Sequence, residues 1–130
     1  MSLASKISAL AIRLGREIKT LVRPEHPGLA RAWVTFSCVG GVIQIVASHN
    51  VSGVTRSASG RYRITFVSPF VDAHYCWVAQ ARSTSDSGSA RMAIVRATSD
   101  KKTAAYVEVS CASTSTSHSD TTEMNVVVFR

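Results

Sequence analysis

The chain has 130 residues, 45% of them hydrophobic and 18% charged, with 15 basic and eight acidic side chains for a net charge of +7. That length fits one domain with a real core, and that apolar content excludes a disordered chain. Three cysteines cannot all pair, which argues against a disulfide framework and for free thiols made in a reducing cytosol.

From Ser2 to Val22 the apolar residues Leu3, Ile7, Leu10, Leu14, Ile18 and Leu21 recur at steps of three and four, which is helical periodicity. Ser2 is placed to cap the first turn, and Pro24, Pro27 and Gly28 end the helix in a short rigid linker. Arg13, Arg16, Glu17 and Lys19 interrupt the apolar stretch, so the segment is expected to be retained rather than removed as a signal peptide. Its stripe is narrow and begins as a heptad seam. The extra four-residue step from Leu14 to Ile18 is a stutter that straightens a left-handed supercoil. Such a stripe needs a cover. Two covers are open on pattern alone: the chain's own β domain, or the same stripe on other copies. For the second, three copies are favoured because large aliphatics fill both kinds of seam position. Leu3, Ile7, Leu10, Leu14, Ile18 and Leu21 are then the oligomer interface.

After Leu29 the period changes to two. Residues 30–38 place Ala30, Ala32, Val34, Phe36 and Cys38 on one face and Arg31, Trp33, Thr35 and Ser37 on the other. Further strand-like runs occupy 42–48, 51–57, 61–67, 73–82, 90–98, 103–111 and 124–130. Turn residues separate them at intervals of about ten: Gly40-Gly41, His49-Asn50, Ser59-Gly60, Pro69 and Asp100-Lys101. Eight such strands with no intervening helices predict a mainly β fold: an N-terminal α-helix followed by an antiparallel β-sandwich, jelly-roll-like in its wrapping. The domain plan is a helix over 1–23, a linker over 24–29 and the sandwich over 30–130. Two segments, 82–90 and 112–123, are rich in Ser, Thr and Asp and read as exposed loops, where binding surfaces commonly sit.

Catalytic patterns are missing. His26, His49, His74 and His118 lie far apart with no metal-ligand spacing, so neither a metal nor another cofactor is expected. Cys76 and Cys111 fall within strands and Cys38 ends one, where a thiol behaves as a small buried hydrophobe. Asp72, Asp86, Asp100 and Asp120 fall in loops and read as turn formers. Gly53, Gly60 and Gly88 are isolated and cradle no phosphate. The excess charge is spread along the chain, +4 in residues 1–31 and +3 in the remainder. Scattered arginines such as Arg56, Arg61, Arg63, Arg91 and Arg96 do not make the clustered basic face that nucleic acid rewards, so no nucleic-acid partner is expected. No run approaches the roughly 18 apolar residues of a membrane span, and no membrane insertion is expected.

Alternation sets Trp33 opposite the Val34/Phe36 face. It is the candidate surface contact, lining a subunit interface or ligand patch, unless a second covered face buries it. Tyr75 and Trp77 share a face with Ala79 and Ala81 and are expected in the core.

Residues 2–19, SLASKISALAIRLGREIK, resemble the N-terminal opening of tailed-bacteriophage structural proteins. A second stretch, RAWVTF from Arg31 and then IQIVASHNVSGVTRSASGRYRITF, followed by Phe70 and the AHYCW run, is similar to a phage virion domain. Together the two cover about half of the chain. The framework positions Trp33, Phe36, Asn50, Val51, Gly60, Tyr62 and Phe66 match, and Arg56 and Arg61 stand where that pattern is acidic. The resemblance implies a non-enzymatic virion component, a tail-fibre, head-fibre or decoration module made in the host cytoplasm. It further implies a homo-oligomer, usually a trimer, that contacts other virion proteins. An alternative that can coexist with it makes the sandwich a module that binds a host surface receptor or glycan, with Trp33 and the 112–123 loop as its contacts.

Overall fold

The computed structural model describes residues 1–23, 26–83, 90–95, 100–113 and 117–130. Pro24, Asp86, Gly88 and Arg96, together with parts of the predicted loops at 82–90 and 112–123, lie outside the described residues. Helix α1 runs Leu3–Leu21, capped as the sequence suggests: the Ser2 hydroxyl accepts the Ser5 amide at 3.2 Å. Arg13 and Glu17, one turn apart, pair at 3.0 Å, and Lys19 sits in the last turn where a cation suits the helix dipole. None of its residues is buried.

Eight strands follow: β1 Ala30–Val39, β2 Val42–His49, β3 Val51–Ala58, β4 Arg61–Phe66, β5 Cys76–Arg82, β6 Arg91–Ile94, β7 Tyr106–Ser113 and β8 Glu123–Phe129. They make two antiparallel four-stranded sheets, β2-β1-β8-β5 and β3-β4-β7-β6. The number and order of strands match the sequence reading. Two begin later than expected. Before β5, the Asp72 carboxylate accepts the His74 amide at 2.7 Å and holds a turn through residues the alternation assigned to the strand. Before β7, the Thr103 hydroxyl accepts the amides of Ala105 and Tyr106 at 3.2 Å and does the same.

The core is the slab between the sheets. From one side come Ala32, Val34, Phe36 and Cys38 of β1 with Met124, Val126 and Val128 of β8. From the other come Tyr62, Ile64 and Phe66 of β4 with Val107, Val109 and Cys111 of β7. The period-two burial of β1, β4 and β8 is what a sheet with one face on a core requires. Phe36 and Tyr62 meet edge to face across the slab at 5.1 Å, and Phe66, Phe70 and Tyr75 form an aromatic cluster near the start of β5.

Chain direction gives the sandwich two unlike ends. At the proximal end lie the start of β1, which follows the helix and linker, the Asn50 turn and residues 67–75. At the distal end lie the Gly40-Gly41 and Ser59-Gly60 turns, the junction from β5 to β6 and the junction from β7 to β8. Both Ser/Thr-rich segments therefore leave and re-enter the fold at the pole opposite the helix.

Candidate functional site

Three regions of this fold have the chemistry of contact surfaces, beginning with the helix. Leu3, Ile7, Leu10, Leu14, Ile18 and Leu21 retain 74, 58, 57, 48, 61 and 70% of their accessible surface. A sandwich core packed against the stripe would have reduced those values to near zero, so the chain's own sheets do not cover it. The intramolecular alternative is set aside on that observation.

The second region is the outer face of the β2-β1-β8-β5 sheet. Trp33 lies here, 37% exposed and pointing away from the core side chains of β1, so no second covered face buries it. In register, Trp33 stands opposite Val127 of β8, and Val127 stands opposite Val78 of β5, which is 53% exposed. One row proximal, Phe129 of β8 stands opposite Cys76 of β5. One row distal the chemistry changes. Thr35 donates to the Asn125 amide oxygen at 2.8 Å, the Asn125 amide donates to Glu123 at 2.9 Å, and Glu123 pairs with Arg82 at 2.6 Å. The face thus carries an apolar patch on β1, β8 and β5 in its proximal half, flanked on β2 by the exposed His49 opposite Trp33, then a hydrogen-bonded chain, with Val39 and Val42 exposed at the β1–β2 turn beyond it.

Cys76 corrects one expectation. It lies in a strand but is exposed, because alternation turns Tyr75 and Trp77 inward and the residue between them outward. Cys38 and Cys111 are buried as expected, and burial pushes both thiols up from their ordinary pKa, Cys38 with a further contribution from the nearby Asp120 carboxylate. Tyr75 is buried in the core, with its hydroxyl donating to the Thr103 and Tyr106 carbonyls at 2.9 and 3.1 Å. Trp77, Ala79 and Ala81 pack against the core from its edge.

At the distal pole Asp120 is more than a turn former. Its carboxylate accepts from Arg56, from the Gly60 amide and from the Tyr62 hydroxyl. Burial alone would raise its pKa, but these donors outweigh it and hold the group down at about 2. Tyr62, buried and bonded to that anion, is pushed far up. No local pattern marks this cluster, since Arg56 and Asp120 come together only when β3 and the segment before β8 are laid side by side. Asp72 serves its turn and also pairs with Arg130 at 2.7 Å, while Asp100 accepts the Ser110 hydroxyl at 2.8 Å.

His26 accepts the Gly28 amide at its Nδ1, and His49 and His74 are exposed. His118 pairs by its backbone with Ala112, and its Nε2 meets no hydrogen-bond partner among the described residues. Among the described residues, no three His, Cys, Asp or Glu side chains gather as a metal site would need. Among the described residues no helix is long and apolar enough to cross a membrane.

Compared with protein-family models, curated proteins and solved structures, the chain matches none.

Proposed function

We propose that this chain is a non-enzymatic virion structural protein of the tailed-bacteriophage type, a short fibre or decoration module. It assembles as a trimer through its N-terminal helix and carries the β-sandwich outward on other virion proteins. The observation that carries the reading is the helix stripe, six Leu and Ile residues on one side of a capped 19-residue helix in which nothing is buried. A helix of this length is marginal alone in water, and most helical stability comes from packing an apolar face. Sister helices of identical pattern supply that packing. The sandwich is read as jelly-roll-like, supported by the pairing of the first strand β1 with the last strand β8 in one of two facing four-stranded sheets.

Sedimentation of the full chain tests the assembly. The expected species has three times the 14.0 kDa chain mass, and Leu10→Asp with Leu14→Asp is expected to dissociate it by placing unpaired carboxylates in the seam. A single-chain species at micromolar concentration overturns the reading. Imaging of intact particles with the protein labelled tests its place in the virion.

A second reading, a receptor- or glycan-binding module, is favoured by one specific feature. Both Ser/Thr-rich segments join the fold at the distal pole, farthest along the strands from the helix. Glycan-array binding by the full chain, lost when the segment around His118 is replaced by a Gly/Ser linker, is the result expected if the exposed pole recognises a host surface.

A further inference from the structure

We propose that the proximal half of the outer face of the β2-β1-β8-β5 sheet, centred on Trp33, Val78 and Val127, is a second self-association surface on which the sandwiches of neighbouring copies meet. The inference rests on the assembly reading above and adds a contact to it.

The first argument is area. Six Leu and Ile side chains, each removing on the order of 100 Å² from water when covered, come to roughly 600 Å² per copy. Stable specific interfaces cover about 800 Å² per partner. The helix stripe alone falls short, and its stutter after Leu14 weakens continuous knobs-into-holes packing. A second contact on the sandwich makes up the difference.

The second argument is position. β1 is the strand that the helix and linker lead into, and Trp33 lies in its proximal half. Helices gathered on one axis therefore bring the proximal ends of their β1 strands close together. The apolar rows, Trp33 with Val127 and Val78 and then Phe129 with Cys76, lie in that half of the face, between the exposed His49 of β2 on one side and the row of Thr35, Asn125, Glu123 and Arg82 on the distal side. An apolar zone bounded by polar groups has the anatomy of an interface core with its rim.

The third argument is contrast with the opposite sheet. On the outer face of β3-β4-β7-β6, Arg63 pairs with Glu108 at 2.7 Å and lies 4.3 Å over the Tyr106 ring, while the Ser52 hydroxyl bonds the Thr65 carbonyl. That face is ion-paired over its centre, with Met92 exposed only at its β6 edge. The two outer faces of one sandwich are built for different surroundings, and a second copy of this chain is the occupant that the tether delivers.

Cys76 provides a native probe, because it is exposed in the single chain and lies on the proposed contact. In the full-length protein, its reaction with a water-soluble maleimide is expected to be at least tenfold slower in the assembled state than after dilution below the dissociation concentration. Val78→Glu is expected to raise that concentration at least tenfold while leaving the β circular-dichroism spectrum unchanged. If Val78→Glu does not fold, the Cys76 protection measurement on the unaltered chain decides. An assembled protein whose Cys76 reacts at the dissociated rate and whose assembly ignores Val78→Glu overturns this proposal and leaves the helix reading standing. Residual association of the Leu10→Asp, Leu14→Asp chain that Val78→Glu abolishes supports the face even where the helix fails. Loss of particle incorporation by Val78→Glu without any change in self-association assigns the face to another virion protein and overturns the proposal.

Discussion

Arg56 and Asp120, 64 residues apart in the chain, form a two-pronged ion pair at the distal pole, with Nε and Nη2 donating to the carboxylate at 2.8 to 3.0 Å. The same carboxylate receives the Gly60 amide at 2.8 Å and the Tyr62 hydroxyl at 3.0 Å, so one anion joins β3, the turn into β4 and the segment leading to β8. Its folded pKa of about 2 lies below the ordinary value of 3.8. The stability it contributes is therefore complete above about pH 4 and is lost as pH falls towards 2. Asp120→Asn is expected to cost about 1–2 kcal/mol at neutral pH, after allowance for solvent screening, and to flatten the acid limb of the stability profile. Urea unfolding followed between pH 7 and pH 2 checks both.

Gly60 beside this pair tolerates no side chain. Its φ of +63° is left-handed, and an added Cβ would lie 2.5 Å from the Cys111 carbonyl oxygen and the Ser119 nitrogen, both backbone atoms held in hydrogen bonds. Gly60→Ala is expected to lose about 3 kcal/mol or more, combining backbone strain with displacement of the 117–119 segment from β7. Gly40→Ala is the internal control. It shares a positive φ but meets no atom within 4 Å, so only the strain of about 1 kcal/mol is expected. Chemical denaturation of the two variants separates the steric part from the conformational part.

Asn50 holds the proximal pole as Gly60 holds the distal one. It sits at φ +52° between β2 and β3, its amide nitrogen donates to the Arg31 and Ser68 carbonyls, and its side-chain oxygen accepts the Ser68 amide at 2.8 Å. Asn50→Gly keeps the backbone conformation and removes only these bonds, whereas Asn50→Ala removes the bonds and adds strain. Losses of about 1–2 kcal/mol for glycine and about 1 kcal/mol more for alanine are expected, read from denaturation midpoints at equal slope.

The strands were legible because their signals are local. Alternation from Ala32 to Cys38 and from Tyr62 to Phe66, and the turn residues Asn50 and Gly60, each declare themselves within a few positions. The helix was legible for the same reason, in the stripe from Leu3 to Leu21. Asp120 was not, because its partner Arg56 is near only after two sheets have closed. Cys76 was misread although the pattern held the answer: a strand with Tyr75 and Trp77 inward turns its cysteine outward. The apolar patch of Trp33, Val127 and Val78 on the outer face depends on the register of β1, β8 and β5, and no sequence window contains three strands at once.

The cysteines offer a last test of which sheet face meets water. Cys38 and Cys111 line the slab between the sheets, 2% and 0% exposed, and burial raises both thiols away from the reactive thiolate form. Cys76 lies on the outside of β5. In the single chain one thiol is expected to react with a disulfide reagent within minutes and the other two only at the rate of global unfolding, because reaching them requires parting β1 from β4 and β7. Adding denaturant should therefore accelerate two thiols steeply and leave the first nearly unchanged. Three equally fast thiols would mean that the slab opens locally at the distal pole, where both buried cysteines lie close to Asp120. In that event Asp120→Asn should accelerate them further, since removing the anion that ties Arg56, Gly60 and Tyr62 together loosens the same end of the sandwich.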